Sequence, residues 1–172
     1  MFVSDNYQNQ LKQIHSTQEW GSTGKGYWEK VDKIASALGT NTILDYGAGH
    51  GSLRKKLEEQ LPSKYIVKEY EPGIPEKSSR PDAQNFVVCC DVLEHVEPEL
   101  IDNVLDELKR VTLKRGLFTV SCRLANRKLP DGRNSHLIVE SVEWWNNKLQ
   151  ERFNIIKKED HITGGLFLVE PL

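Results

Sequence analysis

Three glycines at alternate positions in Asp45-Tyr46-Gly47-Ala48-Gly49-His50-Gly51 make up the stretch of this chain best suited to embrace a ligand. Glycine reaches positive φ without steric cost and lets a ligand approach the backbone closely. A helix starting just after such a loop presents unpaired N–H groups at the carboxyl end of a strand, which is a nucleotide-type site. Spacing narrows the choice. The dinucleotide fingerprint G-x-G-x-x-G, counted from Gly47, needs glycine at position 52, where the chain has Ser52, so a nicotinamide or flavin dinucleotide is disfavoured. A second constellation lies in Cys90-Asp91-Val92-Leu93-Glu94-His95-Val96, with His136 further on. Histidine titrates near neutral pH and can take a proton from a reacting group.

The elements that must position these residues follow from hydrophobic spacing. Trp28, Val31, Ile34, Ala35 and Leu38 recur at helical steps, predicting a helix over 27–38 stopped by Gly39. Residues 42–46 form a short β-branched strand leading into the glycine loop, and Leu53, Leu57 and Leu61 mark the helix after it. A second strand spans 65–70, followed by Glu71-Pro72-Gly73-Ile74-Pro75, which excludes regular structure. Prolines and polar residues up to position 84 leave little room for another helix and strand, so the fold is abbreviated there.

The apolar run 86–90 reads as a buried central strand. It places Asp91 at a strand end and Glu94 and His95 in the first turn of the next helix, whose apolar stripe includes Ile101, Val104, Leu105, Leu108 and Val111. A strand over 117–121, a Trp-rich helix over 142–153 and a hairpin of 154–158 with 165–169 complete the chain. This alternation predicts an α/β fold with a mostly parallel sheet of six or seven strands and a C-terminal antiparallel hairpin. One domain over 1–172 is expected, with residues 1–26 as a flap or lid.

Composition excludes several classes. Apolar residues make up 38% and charged residues 28%, as in globular proteins. No apolar run approaches the roughly 20 residues of a membrane span, and the N-terminus lacks signal-peptide regions, so no membrane partner and a cytoplasmic location are expected. Cys89, Cys90 and Cys122 sit on apolar runs and read as reduced thiols. A net charge of −2 disfavours duplex DNA as a partner, and the local basic run Arg123, Arg127, Lys128 and Arg133 reads as a solvated loop. Trp144-Trp145 reads mainly as core, Trp20 and Trp28 as lid residues, and His15 and His161 have no evident partner.

The acid-x-Gly-x-Gly-x-Gly run after a strand resembles motif I of class I S-adenosylmethionine-dependent methyltransferases, and the resemblance covers about residues 27–170. It implies a Rossmann-like class I methyltransferase fold with S-adenosylmethionine as cofactor. The cofactor would be held by Asp45, Tyr46, Gly47, Ala48, Gly49 and Gly51, with Glu71 in the place of the family's ribose-binding acid and Asp91, Val92 and Leu93 as further neighbours. It also implies an enzyme, methylating oxygen or nitrogen of a small molecule.

A sharper resemblance is to the metal-dependent members, the ubiquinone-pathway O-methyltransferases and the small-RNA 3′-terminal 2′-O-methyltransferases. It implies that Asp91, Glu94, His95 and His136 hold a divalent ion, of which Mg, Mn or Zn suits such ligands. Metal-free relatives carry a similar Glu-His, so the alternative is catalysis by His95 or His136 as base, with Glu94 beside them. An RNA end stays open as acceptor, as does a non-catalytic module that binds the cofactor or a partner. The signatures of amino-group and cytosine-C5 DNA methylation are absent.

Overall fold

Thr42–Tyr46 (β1), Ile66–Tyr70 (β2), Gln84–Cys90 (β3) and Thr112–Ser121 (β4) run parallel, while Phe153–His161 (β5) and Gly164–Pro171 (β6) return as an antiparallel hairpin. This is the arrangement in a computed structural model, which describes residues 1–17 and 20–172. Gln18 and Glu19, at the end of the expected flap helix, lie outside the described residues. The strands order as β2-β1-β3-β4-β6-β5, giving the six-stranded form of the expected sheet. Between β2 and β3 the prolines admit only a short 3-10 turn, Pro75–Lys77, so the abbreviation anticipated from the sequence is real and β2 is left as a sheet edge.

Helices Asp5–Thr17 (α1), Trp28–Leu38 (α2), Ser52–Gln60 (α3), Ile101–Val111 (α4) and Val142–Gln150 (α5) flank the sheet. One face buries Val31 and Ala35 of α2 and Leu53 and Leu57 of α3 against Ile43, Phe86 and Val88. The other buries the stripe of α4 and Trp145 and Leu149 of α5 against Leu44, Val87, Phe118 and Phe167. Trp144 is half-buried against that core, consistent with packing rather than acceptor stacking. Alternation along β1 and β3 therefore serves two cores at once, as expected of a central parallel strand. Among the described residues, no helix is long and apolar enough to cross a membrane.

The segment after β3 departs from expectation. Glu94 and His95 do not open a continuous helix; they occupy a single 3-10 turn, Leu93–His95. A second turn at Pro98–Leu100 precedes α4, because Pro98 lacks the N–H that a continuous helix would need. The effect is a tight shelf at the carboxyl end of the sheet.

Helix α1 packs across that end instead of against a core face. Its Tyr7 and Ile14 form a small cluster with Leu129, and Tyr7 donates its hydroxyl to the His95 carbonyl at 2.8 Å. The Gln8 side chain donates to the Pro72 carbonyl at 3.1 Å, and Ser4, ahead of the helix, donates to both oxygens of Glu97.

Candidate active site

The glycine loop hangs from the end of β2. The N–H groups of Gly47 and Ala48 donate to the Tyr70 carbonyl at 2.8 and 3.0 Å, and Gly47, Gly49 and Gly51 all adopt positive φ. A Cβ at Gly47 would lie 2.3 Å from Val92, and one at Gly49 would lie 2.6 Å from the Trp20 carbonyl oxygen. The loop thus needs glycine for both conformation and space.

Glu71 is buried next to this loop. Its carboxylate accepts from the Gly49 amide at 3.1 Å and the Gly73 amide at 3.0 Å, and His15 Nε2 of α1 lies 3.5 Å away. Burial pushes the carboxyl up, but His15 and the two amides more than offset it and hold Glu71 below the usual carboxylate range.

Two cavities flank the loop. One is lined by Phe2, Val3, Leu11, Val92 and Val96 with Glu71 at its side, and measures only about 110 Å³ under α1. The other is a polar cleft of about 300 Å³ that includes Ser52, Ser121, Arg123 and His136. Trp20, Gly21, Gly47, Asp91 and His95 line both. Tyr46 and Gly49 line the first and Asp45 and Ala48 the second. Of the expected cofactor neighbours, Gly51 starts α3 beside Glu69, and Leu93 is wholly buried in the larger core, so its side chain faces neither cavity.

Asp91 sits at the shared wall with a φ of 53°, a left-handed conformation unusual for a residue with a side chain. It is fastened there by Thr119, whose hydroxyl donates to Asp91 at 2.7 Å and accepts from the Asp91 amide at 3.0 Å. Asp45, buried below the loop, is pushed up to about 7 by burial and then by Glu69.

Glu94, His95 and His136 converge as the sequence suggested. One ligand atom from each lies within 4.8 Å of the others, and the two imidazoles meet edge-on with centroids 4.7 Å apart. Each imidazole uses Nδ1 to donate to a main-chain carbonyl, His95 to Ser135 at 2.7 Å and His136 to Arg123 at 2.6 Å. In the neutral tautomer that this pairing selects, the lone pair lies on Nε2. Burial, reinforced by His136, lowers His95 to about 4, so it is neutral at physiological pH.

Glu94 is fully buried. One carboxyl oxygen accepts from the Ser121 amide at 2.8 Å, and Oε2 has no hydrogen-bond partner among the described residues. Burial, then the charge of Asp91, pushes its carboxyl up to about 8. Asp91, the fourth expected ligand, falls outside this cluster because its carboxylate is taken up with Thr119.

Several lining residues carried no signal in sequence. His15, Tyr7 and the backbone of the basic loop reach the site through contacts formed only in the fold. The one local hint was helical spacing, since His15 follows Leu11 by four residues and Tyr7 by eight on one face of α1.

No protein-family model matches the chain, and no curated protein matches it. Solved structures do. The Burkholderia thailandensis 1,6-didemethyltoxoflavin-N1-methyltransferase, with bound 1,6-didemethyltoxoflavin and S-adenosylhomocysteine, superposes with a TM-score of 0.68 at 14% identity, over 99% of this chain and 91% of that one. The DhpI–SAH complex gives 0.63 at 12% identity, over 98% of each chain. An O-methyltransferase family protein from Burkholderia thailandensis gives 0.57 at 9% identity over 86% of this chain, which spans only 58% of that protein's length. At such identities the likeness is one of architecture: the chain has the Rossmann-like fold of these methyltransferase structures.

Proposed function

We propose that the protein is an S-adenosylmethionine-dependent methyltransferase acting on oxygen or nitrogen of a small molecule. The observation that carries this reading is the pair of cavities joined at Gly47, Asp91 and His95, one with a carboxylate and an apolar wall, the other polar. Glu71 offers acceptor oxygens to ribose hydroxyls, and Phe2, Val3, Leu11, Val92 and Val96 give an adenine ring an apolar slot. Two of the similar structures are described as S-adenosylhomocysteine or SAH complexes, which agrees with this choice.

When bound, the cofactor supplies an electrophilic methyl group. The chain's task is to align an acceptor in the second cavity with that group and to remove its proton. His95 and His136 are suited to the second part, since both anchor Nδ1 on a main-chain carbonyl and both line the polar cleft.

A divalent cation also fits the cluster. The orphaned, buried Oε2 of Glu94 and two imidazoles oriented by main-chain carbonyls form the donor set and outer shell usual for a bound metal. Held by Glu94, His95 and His136, a cation would lower the pKa of an acceptor hydroxyl. The three cysteines are free, Cys89 and Cys90 buried, which accords with a reducing, cytoplasmic setting.

The test is calorimetric titration with S-adenosylhomocysteine followed by an acceptor screen reading S-adenosylhomocysteine release from S-adenosylmethionine. Binding in the micromolar range with acceptor-dependent release is expected. Absence of binding would remove the proposal, and binding without turnover on any acceptor would favour a non-catalytic module.

A further inference from the structure

Residues 122–136 leave the end of β4, run along the polar cleft and fold back so that His136 reaches the site. The basic side chains Arg123, Arg127, Lys128 and Arg133 are exposed, as a solvated loop requires, yet the backbone that carries them is ordered. The Asn134 side chain clamps Ala125 from both sides, accepting from its N–H at 3.0 Å and donating to its carbonyl at 2.8 Å. The Ser135 amide donates to the Arg127 carbonyl at 3.1 Å, and the Leu129 amide donates to the Arg133 carbonyl at 2.8 Å. Arg123 is tied in as well, because its carbonyl receives the His136 Nδ1–H. Arg123, Asn126 and Arg127 thereby become part of the cleft wall opposite Ser22, Thr23 and Ser52.

Charge pairing separates Arg123 from six of the other arginines. Arg54, Arg80, Arg110, Arg115, Arg133 and Arg152 each lie within ion-pair distance of a carboxylate, on Glu69, Glu107, Glu107, Glu170, Asp131 and Asp102 respectively. Arg123 has no such partner among the described residues, although it flanks a cleft whose floor holds Asp45 and Asp91. Its backbone is fixed by His136 while its exposed guanidinium borders the cleft without a protein carboxylate, so it is free to receive one from a ligand, or a phosphate, through paired N–H donors.

We propose that the acceptor is an anionic small molecule, a hydroxyl or amino compound bearing a phosphate or carboxylate, whose charge is received by Arg123 while its nucleophilic atom lies toward His95 and His136. This rests on the methyltransferase reading for the reaction but not for the anion site. The acceptor atom bonds to the methyl carbon as the carbon–sulfur bond breaks. The sulfonium becomes a neutral thioether, and the acceptor's proton passes to an imidazole nitrogen of the pair.

The test separates anion binding from chemistry. Inorganic pyrophosphate and succinate are titrated into the full chain saturated with S-adenosylhomocysteine, read by calorimetry and by the fluorescence of the tryptophans, of which Trp20 borders the cleft. Saturable binding of at least one anion is expected, weakened at least tenfold by Arg123→Ala, partly restored by Arg123→Lys and unchanged by Lys114→Ala on the exposed start of β4. Pyrophosphate alone would mark a phosphate acceptor, succinate alone a carboxylate. Anion binding that is absent, or equal in Arg123→Ala, overturns the proposal. If the protein does not bind S-adenosylhomocysteine, the methyltransferase reading fails, and the anion titration is then read on the protein alone. In turnover, matched pairs such as a nucleoside and its monophosphate are expected to favour the anionic member, with Arg123→Ala raising its KM and leaving kcat within about threefold. Preference for neutral members, or methylation confined to an RNA oligonucleotide, would also overturn it.

Discussion

His15 Nε2 lies 3.5 Å from Glu71 Oε1, so the imidazole on α1 stands where a ribose hydroxyl would meet the same carboxylate. With α1 in this position the adjacent cavity is about 110 Å³, below the roughly 300 Å³ at which small-molecule sites begin. On the proposed reading, cofactor uptake is expected to make α1 give way. His15→Ala is expected to tighten S-adenosylhomocysteine binding by about two- to fivefold, because a competitor for Glu71 is removed; calorimetry on both proteins decides it, and weaker binding would reverse the role assigned to His15.

Glu71→Gln keeps one acceptor oxygen for the loop amides but removes the charge. Charge-assisted hydrogen bonds contribute about 1.5–3 kcal/mol, so affinity for S-adenosylhomocysteine should fall at least tenfold. Unchanged affinity would place the ribose elsewhere.

Glu94 makes stability depend on pH in an unusual direction. The unfolded chain releases this proton near 4.5 and the folded protein near 8, so the folded state binds more protons between those values and loses stability as pH rises through them. Asp45 acts the same way from 3.8 to about 7. His95, lowered from 6.5 to about 4, works oppositely, adding stability as pH rises to 6.5 and nothing above it. The thermal midpoint of the metal-free protein should therefore fall between pH 6.5 and 8.5. Glu94→Gln should flatten that decline, and a midpoint that is flat in the unmodified protein would contradict the buried, protonated Glu94.

The same carboxyl predicts how a metal would bind. A cation at Glu94, His95 and His136 must displace the Glu94 proton, so Mn²⁺ or Zn²⁺ affinity should rise between pH 6.5 and 8.5 and drop sharply in His136→Ala. Titration calorimetry at both pH values, with no heat at either, would leave the imidazoles acting as bases alone.

In that case His136→Ala should lower kcat by about 10²- to 10⁴-fold, the usual range for a general base, with cofactor affinity within about twofold. Steady-state kinetics on an identified acceptor separate the two effects. Loss of cofactor affinity would instead mark His136 as part of the binding wall.

The sheet and the glycine loop were legible in sequence, since alternation and glycine spacing are local signals, whereas the set Asp91, Glu94, His95 and His136 rested on a family resemblance, and three of its four members meet in the fold. The wall of the first cavity was not legible. Tyr7, Gln8 and Gln10 find partners 88, 64 and 121 residues away, and no local pattern encodes such pairings. The basic loop is solvated as expected, with Arg123, Arg127, Lys128 and Arg133 exposed, but its backbone order was hidden for a similar reason. Its order comes from Asn134, whose amide fastens a residue nine positions back, whereas a run of Arg and Lys by itself reads as solvated surface. Pro98 likewise broke the helix expected after β3, though the residues it displaced kept their place at the strand end.

The shortened crossover between β2 and β3 has a consequence for the order of assembly. With no helix or strand inserted there, α1 lies beside the shortened crossover, and its contacts reach forward to Pro72, His95 and Asp131. These contacts span 64 to 121 residues, so docking of α1 is expected to follow formation of the sheet. A segment that joins last is also the one that can leave alone. Ligand exchange would then proceed through partial undocking of the first 17 residues, and hydrogen exchange in α1 should be faster than in β1 or β3 and slow selectively when cofactor binds.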